Sequence, residues 1–127
     1  MITILDDPLF VESIARAAHE ANNAYRRAMG QKPYQSWILL SEAKKKICTE
    51  GVYAALGGVT PEQMHENWMR SLLTTGWKYG PAYDEEHRIH PALVSWEELP
   101  NYEKAKDELF IRVVRAMVDA IETGRQK

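Results

Sequence analysis

Several side chains in this sequence have types and spacings that chemistry can use, and each pattern makes a definite demand. His65-Glu66 opens like a zinc-protease helix, but that site needs a second histidine four residues after the first, and Met69 stands there. His87 and His90 are three apart and would hold a metal only with Asp84, Glu85 or Glu86 as further ligands, a carboxylate-rich and weakly specific set. No metal is expected. Cys48, the single cysteine, sits among apolar neighbours in a helical stretch where a thiol stays protonated, so it reads as a packed small hydrophobe. No G-x-S-x-G elbow is present, and Gly57-Gly58, Gly76 and Gly80 fit neither the P-loop nor the dinucleotide fingerprint. No catalytic residue and no cofactor are assigned, and the expectation is that the chain is not an enzyme.

A different chemistry is offered between residues 77 and 90. A purine ring needs a flat aromatic partner, and phosphates need Arg or Lys donors nearby. Trp77, Lys78, Tyr79, Tyr83, Arg88 and His90 supply that mixture, with the Arg88 fork the best-suited anion contact. The competing reading is structural. Trp77 serves equally well as a stacking platform or as a pin for its loop, while Tyr79, Trp68 and Trp96 lean towards packing. Asp84 to Glu86 read as a solvated turn, and Gly76 and Gly80 as a helix stop and a turn. His19, Asn22 and Arg26 share one shoulder of a helix, where they either line a cleft against the long loop or hold backbone carbonyls.

The elements that must position these residues follow from periodicity and punctuation. Asp7-Pro8 starts a first helix on which Phe10, Ile14, Ala17, Ala21, Tyr25 and Ala28 recur every three or four residues, ending near Met29-Gly30. Leu40, Ala43, Ile47, Gly51 and Ala55 mark a second helix, with Lys44, Lys45 and Glu50 on its other face, stopped by Gly57-Gly58. Thr60-Pro61-Glu62-Gln63 has capping-box spacing and opens a third helix running to about Thr75, before Gly76. Trp77 to Pro100 contains Gly80-Pro81, His90-Pro91 and Leu99-Pro100, which forbid a long helix. Its aromatic content argues for an ordered, extended loop with room for a short strand pair. From Asn101, the series Leu109, Val113, Met117 and Ile121, flanked by Phe110, Val114 and Val118, makes a fourth helix up to Gly124.

Composition bounds the rest. With 127 residues, 45% hydrophobic and 27% charged, the chain suits one globular domain spanning 1–127. Sixteen Lys and Arg against eighteen Asp and Glu leave a formal net charge of −2, without the basic excess that a polynucleotide partner demands. A lone cysteine permits no intrachain disulfide, the N-terminal residues lack a signal-peptide pattern, and no stretch approaches the roughly 18 apolar residues of a membrane span. A cytoplasmic, unprocessed protein without a membrane partner is expected.

The run HENWMRSLLTTGWKYGPAYDEEHRIHPALVSWEELP, residues 65–100, resembles the RyR domain, the repeat found in pairs in ryanodine receptors and as free-standing proteins of bacteria and their phages. The marks are His65-Glu66, Trp68, Gly76-Trp77-Lys78-Tyr79-Gly80-Pro81, Asp84-Glu85, Arg88, His90-Pro91 and Glu98-Leu99-Pro100. Upstream, Ala18 to Tyr25 is similar to the opening helix of the free-standing members, and Trp37 sits where they carry a tryptophan. Ala92 departs from the cysteine usual in receptor repeats. The resemblance implies a compact, mainly helical domain with short strands and no assigned catalytic residues. It implies either a module that senses or sequesters a nucleotide or nucleotide-derived signal, or a protein-interaction and architectural module. Because receptor repeats come in pairs, it also implies a homodimer, in which Trp77 of each copy would face a shared cleft.

Overall fold

The computed structural model describes residues 6–125, so the ends of the expected domain, 1–5 and 126–127, lie outside the described residues. Asp7 accepts the Leu9 N–H at 2.9 Å and Pro8 opens helix α1, Pro8–Ala28. Gly30, at φ 75°, ends that helix as expected, and the Gln31 N–H closes back on the Arg26 carbonyl at 2.8 Å. A single 3-10 turn, Trp37–Leu39, leads to helix α2, Glu42–Leu56, whose cap is Ser41. Both bonds of the capping box join Thr60 and Gln63 at the start of helix α3, Pro61–Leu73. Helix α4 spans Asn101–Arg125, passing through Gly124 rather than stopping there.

Between α3 and α4 the long connection is ordered. It contains strands β1, Lys78–Tyr79, and β2, Ile89–His90, and a 3-10 turn, Trp96–Glu98. The two strands pair in parallel, Lys78 with Ile89 and Tyr79 with His90. Their short connection folds back on itself: Asp84 and Ile89 exchange backbone bonds, both 2.9 Å, in an antiparallel bridge. Gly80 permits the approach. A β-carbon there would lie 2.1 Å from Cγ2 of Ile89, so its role is space between the strands rather than the turn conformation expected.

The main core gathers Val11, Ile14, Ala15 and Ala18 of α1, Trp37, Leu40, Val52 and Ala55, Met64 of α3 and Val114 of α4. The inward stripe of α1 is rotated from the one expected. On α1 the alanines at 15 and 18 face inward and Phe10 is partly exposed, because small side chains let α1 lie close along α4. On α4 the expected Val113, Met117 and Ile121 pack against the core with Phe110, Val114 and Val118, and only Leu109 of that series lies outside the cluster. Ala43 of α2 is likewise exposed. A second cluster, Leu72, Trp77 and Leu93 with Ile47, Trp68, Met69 and Tyr83 against it, pins the long connection to α2 and α3. Among the described residues no helix is long and apolar enough to cross a membrane.

Gly80→Ala is expected to destabilise the domain by about 1–3 kcal/mol in chemical denaturation, with Ile89→Ala restoring part of the loss. An unchanged midpoint for Gly80→Ala would remove the spacing argument.

Candidate functional site

The two hydrophobic clusters leave a cleft of about 530 Å³ between them, within the usual range for small-molecule sites. Its aromatic wall is built from three parts of the chain. Trp68 comes from α3, Trp77, Tyr83 and His90 from the long connection, and Tyr34 from the loop after α1. Trp77 and Tyr83 lie nearly parallel, 22° apart with centroids at 6.0 Å, and Tyr34 meets Tyr83 edge-on at 5.1 Å. His90 abuts Trp68 at 4.9 Å and Tyr83 at 5.3 Å, both edge-on.

His90 is fixed in tautomer as well as in place. The backbone N–H of Ala92 donates to its Nδ1 at 3.0 Å, so that nitrogen carries no proton. Burial, reinforced by the charges of Arg26 and Lys106, pushes its pKa down to about 3, so the ring is neutral and Nε2 bears the hydrogen. Nε2 therefore donates to the Tyr34 hydroxyl at 2.7 Å. With both nitrogens engaged, His90 has no lone pair for a metal, and His87 lies apart on an exposed turn, bonded through Nδ1 to Asp84 at 2.7 Å.

Helix α1 supports this wall from behind. Asn23, fully buried, donates to the Tyr34 carbonyl at 3.2 Å and accepts the Tyr34 N–H at 2.9 Å. Arg26 donates to the Lys32 carbonyl at 2.7 Å, and its guanidinium lies 3.9 Å from the Tyr34 ring centroid. His19 donates to the Gln35 carbonyl at 2.7 Å. The shoulder of α1 thus holds carbonyls, but those of the loop at 31–36 rather than of the long connection, and Asn23 does the work expected of Asn22. Asn22 instead lines the cleft, where its Oδ1 is the one buried side-chain polar atom without a partner among the described residues.

The opposite wall is polar. His65 donates from Nε2 to the Val94 carbonyl at 2.7 Å and turns Nδ1 towards Asp107, 4.0 Å away. Burial, then the charge of Glu103, pushes the Asp107 carboxyl up to about 7 against the pull of Lys106. Lys106 itself is clamped by both oxygens of Glu103, at 2.9 and 3.0 Å, and by Gln31 at 2.8 Å. Cys48 lines the cleft with its thiol pushed up to about 11 by burial.

Of the six residues singled out by sequence, the structure brings Trp77, Tyr83 and His90 to the cleft. Trp77 is 7% exposed and packs in the second cluster, and it also lines the cleft. Lys78 and Tyr79 point away, the latter 59% exposed. Arg88, at φ 56°, turns its guanidinium back to the Thr75 carbonyl, 2.8 Å away, and so closes the end of α3 instead of reaching the cleft. The cation beside the rings is Lys44, with Nζ 4.9 Å from the Trp77 ring centroid. The expected stripe set Lys44 on the face of α2 opposite Ile47 and Gly51, whereas Lys44 lines the cleft together with Ile47, Cys48 and Gly51.

The RyR domain profile matches residues 53–121, more than half of the chain, from the last turn of α2 through most of α4. The chain belongs to the RyR domain family. The match contains Trp68, Trp77, Tyr83 and His90 of the aromatic wall and His65, Lys106 and Asp107 of the polar wall. Tyr34 and Lys44 lie upstream of it.

The acid at 107 sets a pH test. Its folded pKa, about 7, lies above the ordinary 3.8, so the stability of its neutral form is present below pH 3.8 and lost as pH rises through 7. His90, held near 3 against an ordinary 6.5, works oppositely: its contribution is present above pH 6.5 and lost as pH falls towards 3. Wild-type stability should therefore change little between pH 6 and 8, whereas Asp107→Asn should gain about 1 kcal/mol over that interval relative to wild type. Parallel curves for the two proteins would contradict the raised pKa of the buried acid.

Proposed function

We propose that this RyR domain is a non-enzymatic module that binds a nucleotide or a nucleotide-derived signal in the cleft, to sense or to sequester it. The carrying observation is the convergence of Trp77, Tyr83, Tyr34 and Trp68 with the Lys44 ammonium at one cavity of suitable size. Base stacking on such rings is worth about 1–3 kcal/mol per base, and a charge-assisted contact to phosphate adds to it. The unpartnered Asn22 Oδ1 gives an acceptor for an amino group of the base, and Asp107, with its carboxyl raised to about 7, offers a donor in its protonated fraction. In this reading Lys44 takes the role that sequence alone gave to Arg88.

Exposed apolar side chains support a second reading, a protein-contact module, with self-association as its simplest form. Ile38 and Leu39 sit together on the 3-10 turn, 72% and 66% exposed. They stand between Gln35 and Leu40, which line the cleft, but are not themselves lining residues, so replacing them removes no cleft side chain. Sedimentation of wild type at high micromolar concentration should give a mass above 14.6 kDa if copies pair, and Ile38→Ser with Leu39→Ser should return it to that value.

Thermal-shift and tryptophan-fluorescence titrations with adenosine, AMP and cyclic dinucleotides test the main reading. A ligand at a hundred times its Kd should stabilise wild type by about 2.7 kcal/mol and change the emission. Lys44→Met should weaken AMP about tenfold, a loss of about 1.4 kcal/mol, and Arg88→Ala should leave AMP affinity unchanged. Trp77→Ala is less informative, because removing a buried tryptophan costs about 3–5 kcal/mol whether or not it stacks. Silence of every nucleoside and nucleotide at millimolar concentration would sink this reading and favour the contact module.

A further inference from the structure

Lys44 does not face the cleft unpaired. Its ammonium pairs with the carboxylate of Glu85, and the same carboxylate accepts the hydroxyl proton of Tyr83, whose ring stacks near Trp77. Glu85 therefore places a negative charge within one lysine of the aromatic wall, where the anionic group of a stacked ligand would have to sit. The cations that line the cleft are Lys44, Arg70 and Lys106, among the described residues. They differ in how readily each can be released. Lys106 is held by two oxygens of Glu103, an acid on α4 with its side chain only 18% exposed, and by Gln31. Arg70 is bonded to Asn67 on its own helix at 3.3 Å. Glu85 is the acid that can leave. Its side chain is 41% exposed, and the turn that carries it is closed by its own bonds between Asp84 and Ile89, so the carboxylate can swing into solvent without unfolding the turn.

We propose, resting on the nucleotide reading above, that Glu85 is a built-in competitor for the ligand's phosphate: it occupies Lys44 in the empty site and is displaced when an anionic nucleotide binds. The carboxylate is fit for that role because it stays ionised near neutral pH. Burial pushes its pKa up, but the bonds from Lys44 and Tyr83 outweigh burial and hold it below the usual carboxylate range. Displacement exchanges one anion on Lys44 for another and frees the Tyr83 hydroxyl to donate to the incoming phosphate. The device discriminates by charge. A neutral nucleoside stacks without touching the pair and leaves it closed, while a nucleotide must open it and gains the lysine in return.

The test is a four-way titration of adenosine and AMP against wild type and Glu85→Gln, read by tryptophan fluorescence and calorimetry. Glutamine keeps the size and an acceptor for Tyr83 but removes the competing charge. AMP should bind Glu85→Gln about three- to tenfold more tightly than wild type, with adenosine changed less than twofold. Adding Lys44→Met should erase most of the gain, since Lys44 is the cation for which the acid and the phosphate compete. AMP bound equally or more weakly by Glu85→Gln would overturn the competitor role while leaving the cleft reading intact. Equal tightening for AMP and adenosine would also overturn it, by making Glu85 a steric cover rather than a charge. Binding of neither compound to wild type would remove the cleft reading and this proposal together. An unfolding midpoint for Glu85→Gln within about 2 °C of wild type shows that the comparison concerns binding.

Discussion

The imidazole of His90 is where the three parts of the aromatic wall meet, and its neutrality is the condition on which they hold together. A backbone N–H from Ala92 enters one nitrogen and the Tyr34 hydroxyl takes the proton of the other. A charged ring would place two donors against these partners, leaving the Ala92 N–H facing another donor, which burial makes costly. Through Tyr34 the constraint passes to Asn23 and Arg26 on α1, and through ring contacts to Trp68 on α3 and Tyr83 in the long connection. One neutral side chain thus couples three segments distant in sequence. Ala92, where receptor repeats usually carry cysteine, contributes through its backbone, so the departure in side chain leaves this bond intact.

Charge is distributed around the cleft in closed accounts. Lys106 with Glu103 and Lys44 with Glu85 each set opposite charge side by side. Such pairing lets ionisable groups line a largely apolar cavity without isolated buried charge. It also means that the cavity has little fixed field of its own. Recognition of an anion there depends on exchange between partners, which distinguishes it from a phosphate cradle made of backbone N–H groups at a helix end.

Much of this architecture was legible in the residues. Helix starts were signalled by Asp7-Pro8 and Thr60 to Gln63 because caps are local chemistry, and Gly30 and Gly76 marked ends because their positive φ is costly for other residues. The aromatic density of 77–100 was a sound indicator of order. The inward face of α1 was less legible: adjacent apolar stripes satisfy the same three-and-four spacing there, and the choice between them belongs to helix–helix packing. The site was half legible for a similar reason. Trp77, Tyr83 and His90 stand in the motif, whereas Tyr34 and Lys44 reach it from segments 43 and 33 residues before Trp77 and carry no local mark of that meeting. Arg88 misled because a guanidinium suits a carbonyl as well as a phosphate, and the left-handed backbone at that residue aims it at the end of α3.

The family segment and the physical unit have different borders. Residues 53–121 end one wall of the cleft in open space, since α1 packs along α4 and carries the loop that brings Tyr34 to His90. A peptide trimmed to the recognised motif would bare the apolar stripe of α4 and leave His90 without its hydroxyl partner. The motif is therefore a portable pattern but not a portable object: transplanted into another chain, it would have to travel with residues 8–52 or find a host helix able to stand in for α1.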